Sequence, residues 1–330
     1  MSELRWNPLM GEWLGTATHR QDRTFLPPKD FCPLCPTKPG GFPTEVPEST
    51  YDIVVFENRF PSLSPNPPEP AIKASELYPV ERSFGECEVV VYTPNHNSSL
   101  ANEPVEQIYK LVQVWTDRFR DLSRLEFVKY VFIFENKGEA IGVTLNHPHG
   151  QIFAYPFVPP RVAKELEQSK AHQEKTGNCL LCDIISEEKR DGRRIVTENE
   201  SFVAYIPFFA RYPYELHVAP KNHLRDLTEF SKNEQTDLAE ILKQVLAAFD
   251  KLFNFSFPYM MVLHGQPSDG ENYDFYHFHI EFYPPLRTAT KLKYLAGSES
   301  GAGFFINDTL AEEKAAELRG HIEPVVWKKD

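Results

Sequence analysis

At 330 residues the chain is long enough to bury a large core, either as one domain or as two packed halves. With 41% apolar and 25% charged residues it has the composition of an ordinary soluble globular protein, and a net charge of −12 argues against a general binder of nucleic acid or anionic membrane, though a local basic pocket for phosphates remains compatible with it. No apolar run reaches the length of a membrane span, and residues 1–6 lack a basic segment leading into an apolar one, so a cytoplasmic location with no membrane partner is expected.

The first stretch mixes Trp6, Trp13 and Leu14 with Arg20 and Arg23 before giving way to proline-rich loop; the 28 prolines mark long ordered loops more than low-complexity sequence. Cys32-Pro33-Leu34-Cys35 reads as a tight knuckle, 51–56 as a strand, and 85–92 as a strand closed by Pro94-Asn95-His96. Between 103 and 125 the residues Ile108, Leu111, Trp115, Phe119 and Leu122 recur at helical spacing. A strand at 130–135 runs through Asn136-Lys137-Gly138 into Asn146-His147-Pro148-His149-Gly150-Gln151.

The second half repeats this order. Cys179-Leu180-Leu181-Cys182 is a knuckle, 202–206 and 214–219 are strands, Pro220-Lys221-Asn222-His223 closes the second, 233–253 is a helix, 259–264 is a strand, and His277-Phe278-His279-Ile280-Glu281 stands where the first half has its histidine pair. His96 and His147 are 51 residues apart, His223 and His277 54. Five elements in matched order indicate an internal duplication. The expected fold is α+β: two tandem repeats, 1–165 and 166–330, each an antiparallel sheet with flanking helices.

Four of the five cysteines form C-x-x-C pairs, which in a reducing cytosol favour metal over disulfide. Cys32, Cys35, His96 and His147 make a closed Cys2His2 set of the kind structural zinc takes. The repeat supplies a second set in Cys179, Cys182, His223 and His277. A rival second set, Glu165, His264, His277 and His279, would suit iron or zinc. With His147 assigned to metal, His149 points the same way along a strand and is free. A neutral imidazole is a good nucleophile towards phosphorus, and a carbonyl accepting from its Nδ1–H would present Nε2. Gln151 is placed to hydrogen-bond a phosphoryl oxygen without adding negative charge. Glu281 replaces it in the second repeat and would repel a phosphate, so that copy is read as catalytically silent.

These motifs resemble the galactose-1-phosphate uridylyltransferases, a branch of the histidine-triad superfamily. The likeness runs through Arg5-Trp6-Asn7-Pro8-Leu9, the first C-x-x-C, Phe56-Glu57-Asn58-Arg59-Phe60, Phe134-Glu135-Asn136-Lys137-Gly138, the HPHGQ element at 147–151, His264-Gly265 and 279–285. It implies half-barrel sheets and a ping-pong transfer of UMP from UDP-glucose to a hexose 1-phosphate through a uridylyl-histidine on His149, with Gln151 on the phosphoryl group. It further implies Asn58, Phe60, Asn136, Gly142 and Thr144 around the nucleotide, and Arg23 on phosphate. The hexose site would be built with Lys293 and Glu299 from a partner subunit of a homodimer. The chain departs from the family at Ser298 and Phe305, where a tyrosine and a glutamine are expected. Its second C-x-x-C is instead similar to ADP-glucose phosphorylases, which makes adenylyl transfer the alternative activity. A silent zinc-containing nucleotide-binding protein is the alternative from another class.

Overall fold

The computed structural model describes residues 2–22, 27, 31–325 and 327 and builds them into an α+β fold. In chain order the first half contains β1 (Ser2–Asn7), β2 (Glu12–Ala17), β3 (Val54–Glu57), β4 (Val80–Arg82), β5 (Glu86–Val91), α1 (Val105–Leu122), β6 (Tyr130–Lys137) and β7 (His149–Tyr155). The second half contains α2 (Pro160–Thr176), α3 (Leu180–Asp191), β8 (Ile195–Glu198), β9 (Phe202–Tyr205), β10 (Leu216–Pro220), α4 (Lys232–Leu252), β11 (Tyr259–His264) and β12 (His279–Tyr283). A short tail of β13 (Leu286–Thr288), β14 (Lys291–Leu292), α5 (Gly297–Ala302) and α6 (Ala311–Arg319) follows.

Nine strands form one antiparallel sheet in the order β3-β5-β7-β6-β11-β12-β10-β9-β8. The order is palindromic about the β6–β11 seam: β3, β5, β7 and β6 match β9, β10, β12 and β11. The duplication read from the motifs is therefore a physical one: two matched four-stranded units meet edge to edge, and β8 extends the second by one strand. β1, β2 and β4 form a separate three-stranded sheet.

Helix α1 begins after Pro104, whose ring supplies no N–H to leave unpaired, and buries Ile108, Leu111, Val112, Trp115 and Phe119. Its counterpart α4 starts at a capping box in which Ser231 and Glu234 satisfy each other's backbone N–H groups. The two helices pack together on one face of the sheet and contribute to a single apolar core that spans both units. On β7 the alternation is clean: Gly150, Ile152 and Ala154 are buried towards that core, while His149, Gln151 and Phe153 face the other way.

Helices α2 and α3 were not legible from periodicity, because α2 buries only Val162 and Leu166. The second C-x-x-C is also not a loop knuckle: Cys179 is the N-cap of α3 and Cys182 lies in its first turn. Among the described residues no helix is long and apolar enough to cross a membrane.

Candidate active site and metal centres

The sheet's open face holds the candidate catalytic residues. His149 donates its Nδ1–H to the carbonyl of His147 at 2.7 Å, which fixes the tautomer and leaves the Nε2 lone pair free. Burial lowers the pKa of its imidazole, partly offset by that carbonyl, so the ring is held neutral. Gln151, two residues on, shares a cleft of about 110 Å³ with His149, Asn58 and Phe60. Asn58 reaches the Gln151 carbonyl oxygen through Nδ2 at 3.3 Å, and its own Oδ1 accepts from the Phe60 backbone N–H at 2.9 Å. Gln151→Glu tests the expectation that this amide meets a phosphoryl oxygen: if it does, the added carboxylate should lower kcat/KM about 10²–10³-fold in steady-state assays, the usual loss for a removed oxyanion partner.

A second cleft of about 390 Å³ opens on the other side of His149 and is lined by Asn136, Gly138, Val143 and Leu145. Gly142, with φ 80°, and Thr144 belong to the same 138–146 loop but line neither cleft. Lys293 and Glu299 are placed against each other, Nζ to Oε1 at 3.2 Å, and brace their own segment through the Ile306 carbonyl rather than meeting His149. Arg23 lies outside the described residues; nearby, Arg20 donates to the Phe60 carbonyl at 3.1 Å at the rim of the first cleft.

Cys32, Cys35, His96 and His147 converge, with one ligand atom from each within 4.8 Å of every other. The Nδ1 atoms of His96 and His147 both lie 3.5 Å from the Cys35 sulfur. The remaining Nε2–H of His147 donates to the Thr93 carbonyl at 2.8 Å, a bond that orients a ligating imidazole. Burial lowers His147 to about 4, keeping it in the neutral, ligating form. Burial also pushes the Cys32 thiol up to about 11, so two thiolates at this site need a cation beside them. The donor set therefore fits a tetrahedral divalent metal.

The second unit reproduces this arrangement. The Nδ1 of His277 lies 3.6 Å from the Cys179 sulfur and 3.3 Å from that of Cys182, while His223 Nδ1 lies 3.8 Å from Cys182. The Nε2–H of His277 donates to the Pro220 carbonyl at 3.1 Å. The four residues again converge within metal-ligand range.

The rival second set does not form as expected. His277 precedes the start of β12 and turns to the cysteines, so Glu281 takes its place beside Glu165, His264 and His279. The two sets are thus separate clusters and not alternatives for one site. Burial opposes ionisation of Glu281, but His217, His279, His264 and Arg161 outweigh it and hold its carboxyl well below the usual range. Sequence reading missed Glu215 and His217 of the adjoining group. Only the register of β10 on β12, which pairs His217 with Glu281, brings them in.

Comparison with known proteins decides the family. The N-terminal domain of galactose-1-phosphate uridyl transferase matches residues 1–159, and its C-terminal domain matches 165–328. The chain belongs to the galactose-1-phosphate uridylyltransferase family. A galactose-1-phosphate uridylyltransferase of Thermotoga maritima is 47% identical over 97% of this chain and 98% of its own length. A solved uridylyltransferase superposes with a TM-score of 0.85 at 38% identity, over 97% of this chain and 98% of that one. An ADP-glucose phosphorylase from Arabidopsis thaliana, solved with bound ADP-glucose, is more distant, with a TM-score of 0.72 and 25% identity over 97% and 98% of the two chains.

Proposed function

We infer that the chain moves UMP from UDP-glucose to galactose 1-phosphate by a ping-pong route through a uridylyl-histidine on His149. The observation that carries this reading is the His149 tether. A neutral imidazole with Nδ1–H held by the His147 carbonyl offers Nε2 towards phosphorus, beside an uncharged amide suited to a phosphoryl oxygen. Nε2 attacks the α-phosphorus, glucose 1-phosphate leaves, and the hexose 1-phosphate then takes the UMP from the histidine. Asn58 and Phe60 from the first cleft and Asn136 from the second flank the nucleotide, Gly142 and Thr144 shape the loop beside it, and Arg23 is assigned to phosphate. Lys293 and Glu299 act from the partner of a homodimer, and the enzyme works in the cytoplasm. On this reading the chain divides at 165/166 into a repeat with the first metal site and the catalytic histidine and one with the second metal site and the hexose-site segment.

Zinc is the metal that two thiolates and two imidazoles select, and we assign one ion to each Cys2His2 cluster. Its role there is to hold loops together; no step of transfer passes through it. Metal analysis is expected to give two zinc ions per chain and one in Cys179→Ser. Equal content in both proteins would discard the second site.

The test of the activity is covalent labelling. Incubation with UDP-glucose labelled in the uridylyl group, without acceptor, should leave acid-labile label on the protein and none on His149→Ala. Label from ADP-glucose but not UDP-glucose would favour the phosphorylase activity of the more distant relative. Label from neither would favour a silent nucleotide-binding protein.

A further inference from the structure

Behind the catalytic strand, on the core side, lies a small polar group that the transfer scheme does not use. Gly150 is backed so closely by the Tyr92 hydroxyl that a side chain there would begin 2.0 Å from it. The β6–β7 register pairs Phe134 with Gln151, so the next step along sets Glu135 opposite Gly150. Glu135 is 3% exposed. One of its oxygens accepts from the Tyr259 hydroxyl at 3.3 Å; the other, like the Tyr92 hydroxyl, is buried with no hydrogen-bond partner. Buried polar atoms left in this state are costly and call for a reason.

The second repeat supplies an internal control. Matching His149 to His279, the strand registers make Leu263 the counterpart of Glu135, Ile280 that of Gly150 and Pro220 that of Tyr92. The repeat in which Glu281 has replaced Gln151 therefore fills the same volume with apolar groups, all fully or nearly buried. Both repeats keep their metal clusters and both keep the imidazole-to-carbonyl tether, His279 Nδ1 donating to the His277 carbonyl at 3.1 Å. The polar group thus goes with the HPHGQ chemistry and not with the fold or the metal.

We propose that Glu135 is a positioning residue for transfer at His149: with the Tyr92 and Tyr259 hydroxyls it fixes the β7 backbone at Gly150, and through it the neighbouring His149 and Gln151. The proposal rests on the reading of His149 as the group that takes up the nucleotidyl. Glu135 does this work uncharged. Burial pushes its carboxyl up to about 8, against a smaller pull from Lys137 and the Tyr259 bond and a push from Asp250. The titratable groups facing it are Lys137 on its own strand, Tyr259 from β11, Tyr92 from the end of β5 and Asp250 from α4; β7 presents only Gly150. Lys137, the cation that pulls the other way, is already paired with Asp250 at 2.8 Å. Ionisation places an unpaired charge directly behind Gly150 and displaces the strand.

The experiment is the pH dependence of acceptor-free labelling by UDP-glucose in the wild type, Glu135→Gln and Glu135→Ala. In the wild type the labelling rate should fall above about pH 8, approaching tenfold per pH unit. Glu135→Gln, uncharged at every pH, should label within about tenfold of the wild type at pH 7 and lose the alkaline limb. Glu135→Ala should label on the order of a hundredfold more slowly, since it removes the support altogether. A limb that survives unchanged in Glu135→Gln, or a Glu135→Ala enzyme as fast as the wild type, overturns the positioning role alone. A wild-type protein that takes no label at any pH overturns both this role and the transfer reading.

Discussion

Replacing His149 by alanine is expected to lower uridylyl transfer by on the order of 10⁴-fold or more, with little change in the unfolding midpoint. The size follows from what the imidazole supplies. It turns one displacement at phosphorus into two, each with a well-placed nucleophile, and no neighbour can substitute for it. His147 is 1% exposed, and its Nδ1 is directed at the cysteines and its Nε2 at the Thr93 carbonyl. Gln151 has no nucleophilic nitrogen. The fold should tolerate the change because the His149 side chain faces the clefts and its ring is hydrogen-bonded to a local carbonyl. Single-turnover labelling together with thermal melting checks both halves of the expectation. A variant that still labels, or one that fails to fold, would refute it.

His147→Ala should behave in the opposite manner, with the fold failing first. Structural zinc contributes about 10–16 kcal/mol to the folding of small zinc-finger peptides, and losing even part of that is large against a net stability of about 5–15 kcal/mol. We expect the unfolding midpoint to drop by on the order of 10 °C or more, with about one zinc lost per chain, and strong chelators to reproduce the effect in the wild type. Acid should act similarly. His147 has a folded pKa of about 4 against an ordinary 6.5, so it is favoured neutral in the fold. Its contribution is complete above 6.5 and is lost as pH falls towards 4. Melting curves with parallel metal analysis decide the matter: an unchanged midpoint with one zinc missing would mean that the first cluster does not support the fold.

Much of this was written in the local sequence. Period-two spacing placed His147, His149 and Gln151 on one face, and the C-x-x-C pairs with their distant histidines anticipated both convergent clusters. The strands at 130–135 and 259–264 were readable as apolar runs, and the helices at 103–125 and 233–253 by their apolar period. What stayed hidden depends on contacts across the chain. The weakly apolar α2 gave no helical signal. The exchange of Glu281 for His277 in the carboxylate cluster depends on where β12 begins. Glu215 and His217 enter through strand pairing alone, and the role of Glu135 emerges only when the two repeats are laid over each other through their registers.

The β6–β11 seam shows what the second repeat does for the first. A four-stranded unit ending at β6 would present a row of unpaired backbone donors and acceptors, an invitation to pair with any passing strand. Its helix α1 would also lose the partner surface of α4. The second repeat supplies both covers, a strand for the open edge and a helix for the apolar face, and neither task needs a nucleophile. Its sequence can thus carry Ile280 and Glu281 in place of the glycine and the glutamine so long as β11 meets β6, and the two halves are expected to melt as one cooperative body.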